Sequence, residues 1–272
     1  MPTLARIRIH PIKSCRGHDM ESAELDELGL IHDRRFQVIA PNGKPFTQRS
    51  HGILARVNAN IDGDELRVSA PGHGAFTTLL SRSRPVHHHT EVWSATELIA
   101  DGCGENAAEF FSSLLGESAH LVHTGAAFDR PVRAHPKDRV GFADAFPLLI
   151  VSEASLADLN QRISQQDTTA APLGMERFRP NLIVKDCPAF AEDSWKRISI
   201  RDREFSSAGP CERCVMTTLD PRTGDKTGPE PLRTLATYRR ATNGSSVWFG
   251  QNVVNVSKSG RIEIGSTIEV VE

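Results

Sequence analysis

Gly209-Pro210-Cys211-Glu212-Arg213-Cys214-Val215-Met216-Thr217-Thr218-Leu219-Asp220-Pro221 is the stretch on which the reading of the whole chain turns. A Gly-Pro break leads into two cysteines and an arginine, and Val215-Met216-Thr217-Thr218 then reads as a β-favouring run. A structural zinc knuckle needs four ligands, and only one Cys-x-x-Cys pair is present. A redox dithiol needs a helix N-terminus after its first cysteine, where this sequence predicts a strand. Two readings of the pair remain. Both cysteines are buried and inert, or Cys214 is a single thiolate that serves a soft metal while the rest of the chain forms the walls around it.

Working outward, short strands dominate. Ala5, Ile7 and Ile9 alternate with Arg6, Arg8 and His10, which predicts a strand with one buried face. Pro11 interrupts it, and Lys13-Ser14-Cys15-Arg16-Gly17 then places a cation and a hydroxyl where an anion could be held. Gly29 to Ala40 enters a second strand through the charged Asp33-Arg34-Arg35, and Asn42-Gly43 signals a hairpin. Val57, Ala59 and Ile61 alternate again before Asp62-Gly63, so the first 80 or so residues read as an antiparallel β unit. Arg82 to His89, with three consecutive histidines, reads as a solvated loop and only weakly as a metal site. A helix is expected from Asn106 to Leu115, with Phe111, Leu114 and Leu115 on one face and Gly116 as its stop.

The second half continues through an apolar run, Leu148 to Val151, into a helix capped by Ser152 or Ser155 and buried along Leu156, Leu159 and Ile163. Arg177 to Val184 predicts a strand with a basic entrance, and Ile198 to Phe205 a hairpin leading to the cysteines. A short helix is expected from Pro231 to Arg240, and further strands from Trp248, Arg261 and Ile268. This pattern predicts an α+β, mostly β chain built of β-rich barrels, not a βαβ fold. The domains are placed at residues 1–118 and 119–272.

Composition narrows the function. A net charge of -2 gives no global field toward nucleic acid or membrane. No apolar run approaches the 18 or so residues of a membrane helix. The first residues lack a signal-peptide pattern, and five scattered cysteines argue against a disulfide framework, so a cytoplasmic protein is expected. There is no G-x-G-x-x-G and no Walker loop. Lys13, Arg34, Arg179 and Arg213 each sit at a strand boundary. Each alone reads as a solvated charge, but with Ser14 and Asn181 they could form one pocket for a phosphate and a polar heterocycle.

The motifs stand in one order. They are Ile12-Lys13-Ser14-Cys15, Asp33-Arg34-Arg35-Phe36, Ser152-Glu153-Ala154-Ser155-Leu156, Phe178-Arg179-Pro180-Asn181, Glu192-Asp193-Ser194-Trp195, Cys211-Glu212-Arg213-Cys214 with Thr217-Thr218 and Asp220-Pro221, Glu230 to Leu235, and Phe249-Gly250-Gln251-Asn252. In this the chain resembles the MOSC family, and most closely its branch with an N-terminal β-barrel, which includes the amidoxime-reducing components. The resemblance covers essentially the whole chain. It implies an N-terminal β-barrel domain, a MOSC β-barrel with peripheral helices, and a molybdenum–molybdopterin cofactor (Moco) between them. Cys214 matches the thiolate ligand of the metal, and Lys13, Ser14, Arg34, Arg179, Asn181 and Arg213 match cofactor contacts, with Asp144 near another pocket position. Ala145 and Phe146 depart from the pattern, because relatives carry hydroxyl residues there. The role of Cys211 is left open.

The resemblance also implies an activity. An N-hydroxylated substrate, R–NH–OH, is reduced to R–NH2 and water by two electrons and two protons. The chain has no ferredoxin-type cysteine cluster before its end at Glu272, so the electrons are expected from a separate donor protein. Two other readings compete. One is a sulfur carrier with a persulfide on Cys214, and the other a metal-free binding domain. Pyridoxal phosphate is not expected, because no lysine has a convincing Schiff-base context.

Overall fold

A computed structural model describes residues 1–80, 83–242 and 244–272. Its main element is an eight-stranded sheet in the order His18–Met20, Thr3–Ile9, Leu182–Lys185, Leu148–Ser152, Val247–Asn255, Arg203–Arg213, Arg197–Ile200, Ile268–Val270. Most pairs are antiparallel, but Leu148–Ser152 and Leu182–Lys185 run parallel and are joined through the helix Glu153–Gln166. The chain is not a βαβ fold, as the sequence predicts, but it holds this one parallel crossover. The mostly β, α+β character stands. One face of the sheet buries Leu4, Ile7, Ile150, Leu182, Ile198 and Phe205 in a single core. The other packs Val151, Ile183 and Phe249 against Leu159 and Ile163 of that helix and Leu235 of a second helix, Leu232–Tyr238.

Four smaller sheets, one of them the two-stranded ribbon of Pro131–Val132 and His135–Arg139, complete the described residues. Asn58–Asp62, Glu65–Ala70 and Gly74–Leu79 form a meander, and Phe36–Ile39, His120–His123, Ala95–Gly102 and His87–Val92 form a four-stranded sheet. They enclose a separate core around Phe36, Val68 and Phe111, closed by the helix Glu105–Leu115. That helix ends at Gly116 with φ 74°, the left-handed stop its sequence predicts. In the remaining small sheet Ser22–Asp26 pairs with Gly260–Glu263.

Several local expectations are revised. The first 80 residues are not one antiparallel unit, because Thr3–Ile9 pairs with Leu182–Lys185 and Ser22–Asp26 with Gly260–Glu263. The register of the first strand shifts between Leu4 and Arg6, so Leu4 takes the buried place expected for Ala5. His10 is buried rather than outward, with its backbone N–H donating to Asp33 Oδ1 at 2.7 Å. In the expected loop Arg82 to His89, Arg82 lies outside the described residues, and the three histidines belong to a strand. There His88 packs on the His120 ring at 4.8 Å and His87 bonds Asp101.

Val215–Thr218 is a 3-10 turn and not a strand. The Thr217 hydroxyl donates to Cys214 O at 2.9 Å and the Thr218 hydroxyl to Val215 O at 2.8 Å. These short threonine bonds to the local backbone close the turn and override the β preference of the residue types.

Candidate cofactor site

All eight residues expected at the site line one cleft of about 440 Å3. Its first wall is made by the loop after Thr3–Ile9, the loop before Phe36–Ile39 and the link between the 3-10 turn Met175–Phe178 and Leu182–Lys185. Ser14, Arg34 and Arg179 have left-handed backbones, with φ of 65°, 49° and 55°. Such conformations cost non-glycine residues on the order of 1–3 kcal/mol each and concentrate at functional sites. Here they aim three side chains from distant parts of the chain at one space.

A dense bond network holds this wall. Arg34 donates from Nη1 to Asp33 Oδ2 at 2.6 Å and to Asn181 Oδ1 at 2.9 Å, and from Nη2 to Arg179 O at 2.9 Å. Asn181 is fully buried; its Oδ1 also accepts from Leu149 N, and its Nδ2 donates to Arg8 O at 3.1 Å. Its side chain therefore orients Arg34. Arg179 Nη1 donates to Cys15 O at 2.7 Å. Burial, with Arg34 nearby, pulls the Arg179 guanidinium down to about 10, so it keeps its charge at neutral pH.

Lys13 is buried and donates from Nζ to Phe142 O at 2.8 Å and to Asp144 Oδ1. Burial lowers its pKa, and Asp144 opposes that shift. The Asp144 carboxylate stands half-exposed on the rim. The crowd of protein atoms around it disfavours its charge, but Lys13 and Arg49 outweigh this and hold it well below the usual carboxylate range. The loop that carries it is pinned by the buried Arg130, which donates to the carbonyls of Gly141, Ala143 and Asp144.

The second wall is the end of the long strand Arg203–Arg213. Its register slips between Ser207 and Gly209 and again between Pro210 and Glu212. These bulges bend the strand and carry the cysteine stretch over the cleft. Arg213 donates from Nη2 to Phe178 O at 2.7 Å and from Nη1 to Cys211 Sγ at 2.8 Å. Cys214 follows with an extended backbone and caps the 3-10 turn, its side chain exposed. The reading of two buried, inert cysteines is thereby overturned, since Cys211 is half-buried and Cys214 exposed.

Family models match the chain in two segments. The MOSC N-terminal beta barrel domain matches residues 1–118, and the MOSC domain matches residues 137–269. The human mitochondrial amidoxime-reducing component 1 is 35% identical over 288 residues, covering 98% of this chain and 82% of that protein. The chain belongs to the MOSC family. The mouse mitochondrial amidoxime-reducing component 1 is 34% identical, with 98% of this chain and 81% of that protein covered. Bovine mitochondrial amidoxime reducing component 2 is 33% identical, with 98% and 82% covered.

The MOSC motifs leave two cations of the cleft unnoticed. Arg49 reaches Cys214 Sγ with Nη2 at 3.5 Å, lies 3.7 Å from Asp144 Oδ2, and stacks over the Trp93 ring at 4.7 Å. Arg177 donates to the carbonyls of Thr217 and Leu219 and so ties down the turn after Cys214. Arg49 had no signal in the sequence, and Arg177 was read only as the basic entrance of a strand, whereas it lies in the 3-10 turn Met175–Phe178 and the strand begins at Leu182. Ala145 and Phe146 also line the cleft. With Arg49 and Arg177, six cationic side chains face two carboxylates, Asp144 and Glu212. In a chain of net charge -2 this is a local concentration of positive charge suited to an anionic guest.

Proposed function

We propose that this protein reduces N-hydroxylated compounds with a molybdenum–pterin cofactor seated in the cleft. The observation that carries the reading is the exposed Cys214 sulfur at the mouth of a cleft whose other wall holds fixed, buried cations. Relatives over nearly the whole chain are named for amidoxime reduction, and an amidoxime is an N-hydroxylated substrate.

The residues fit such a guest. Lys13, Arg34, Arg49, Arg177, Arg179 and Arg213 line the cleft together with the Cys214 thiol, a donor set that matches an anionic phosphate and a soft metal. The cleft volume lies within the roughly 300–1,000 Å3 of small-molecule sites.

When bound, the cofactor supplies two-electron removal of oxygen from N–OH, and the protein supplies binding and orientation. Cys214 would hold the metal through its sulfur, and the Arg49 guanidinium would bond that sulfur and stabilise its negative charge. Lys13, Ser14, Arg34 and Arg179 would hold the anionic and polar parts of the cofactor, with Asn181 fixing Arg34. Asp144 accepts from the buried Lys13 Nζ and opposes the burial that lowers the Lys13 pKa. Arg213, clamped to Phe178 O, would complete the second wall. The electrons would come from a separate donor protein.

The test is to purify the protein from cells that make the cofactor, measure molybdenum and pterin per chain, and supply electrons from reduced methyl viologen. Near-stoichiometric metal and conversion of benzamidoxime to benzamidine and water are expected. A metal-free protein with persulfide on Cys214 would replace this reading with sulfur transfer. Full turnover with NADH alone would overturn the separate donor.

A further inference from the structure

A second cleft, of about 880 Å3, adjoins the first. Arg49 lines both, and Val215, the neighbour of Cys214 in the chain, lines the second. The second cleft lies between the 3-10 turn Gly52–Arg56 and the loop that follows the cysteines. Gly52 and Gly224 are in close contact there, and a Cβ built on Gly224 would collide with the Gly52 carbonyl oxygen. The two walls of the molecule thus meet at bare backbone, and side chains surround that point.

Those side chains are of two kinds. Ile53, Val215 and Leu219 give an apolar strip, with Val215 exposed. Arg56 and Lys226 add cations that make no side-chain hydrogen bond or ion pair among the described residues. Arg49 adds a third positive charge and Asp225 one negative charge, so the cleft keeps a positive excess. An apolar strip beside unpaired cations suits a small molecule with an apolar body and a carboxylate or phosphate.

We propose that this cleft is the substrate subsite, and that it selects N-hydroxylated compounds bearing an anionic group on an apolar body. The inference rests on the reductase reading of the first cleft. In this arrangement the N–OH end points past Arg49 toward Cys214 while the anionic end lies between Arg56 and Lys226. A positive field at the mouth also concentrates anionic substrates, an effect that salt screens.

Benzamidoxime and 4-carboxybenzamidoxime, which differ by one carboxylate, form the test pair. On the cofactor-loaded protein at low salt, kcat/KM is expected to favour the carboxylated compound. The double charge reversal Arg56→Glu with Lys226→Glu should lower that ratio by about tenfold or more. The neutral pair Arg56→Gln with Lys226→Gln should lower it less, and Lys185→Glu, on another part of the surface, should leave it in place. Both altered side chains lack side-chain partners among the described residues, and a thermal melt checks that each variant is folded. A ratio that does not respond to either double variant overturns the proposal.

Calorimetric binding of the same two compounds to the purified protein separates this inference from the reductase reading. If neither compound is reduced, the reductase reading fails. The subsite still stands if the carboxylated compound binds more tightly and the double reversal removes the difference, and it falls if the two bind alike.

Discussion

Cys15 lies in the core behind one wall of the cleft and Cys214 on the other wall, each within two residues of a cation that lines it. Cys15 is fully buried, and burial pushes its thiol up to about 12, so it is chemically silent. Its useful atom is the carbonyl oxygen, which holds Arg179. Cys214 is exposed, carried by a bent strand end, with a guanidinium 3.5 Å from its sulfur. One wall is therefore a closed, bonded frame, and the other presents a reactive atom. Burial, and not the neighbouring residue types, separates the two roles.

The difference can be broken from either side. The largest effect is expected for Cys214→Ser, which should abolish both metal retention and benzamidoxime reduction. Metal analysis and a turnover assay check it, and retained metal in the variant would refute the assigned ligand. Next is Arg34→Ala. It strips the partner from Asp33, which is buried, and leaves an uncompensated charge inside the frame. A loss of about 3–5 kcal/mol is expected by urea unfolding.

Acid should also attack the closed frame. Burial holds the His123 imidazole down near about 4, against 6.5 when free. Between those values the unfolded chain takes up a proton that the folded chain refuses. Stability present above pH 6.5 is therefore lost as pH falls toward 4, by up to about 3 kcal/mol. Burial, with Arg179 and Arg34 nearby, lowers His10 behind the same wall and acts with the same sign. Unfolding midpoints measured from pH 7 to 4.5 test this, and His123→Gln should flatten the decline. The smallest effect is expected on the open wall. Thr217→Val removes the hydroxyl bond to Cys214 O and should cost about 1 kcal/mol in a thermal or urea melt.

Much of the frame was legible because its signals are local. Gly116 ends a helix as its position predicts, and Ser152 caps the next one, accepting from Ser155 N at 3.0 Å. Lys13, Arg34, Arg179 and Asn181 were legible as residue types at strand ends, and the resemblance gathered them. Asn181 reads as a ligand in sequence, yet its side chain is taken up by Arg34, Leu149 and Arg8. What failed was long-range or depended on one bond. Arg49 and Arg177 meet the sulfur-bearing turn only through the fold. Val215–Thr218 misleads because β-branched residues favour a strand until two hydroxyls bond back to their own turn. His10 misleads because it lies just past the strand's end at Ile9, where its backbone N–H turns inward to Asp33.

The strand Thr3–Ile9 has a practical consequence for anyone who would cut this protein between its two family segments. It covers the flank of Leu182–Lys185, whose Leu182, Ile183 and Val184 are buried. A fragment beginning after residue 118 would expose that row of unpaired amides beside a hydrophobic face. Such a piece is expected to clump when expressed alone and to dissolve when a peptide carrying the first ten residues is supplied in trans.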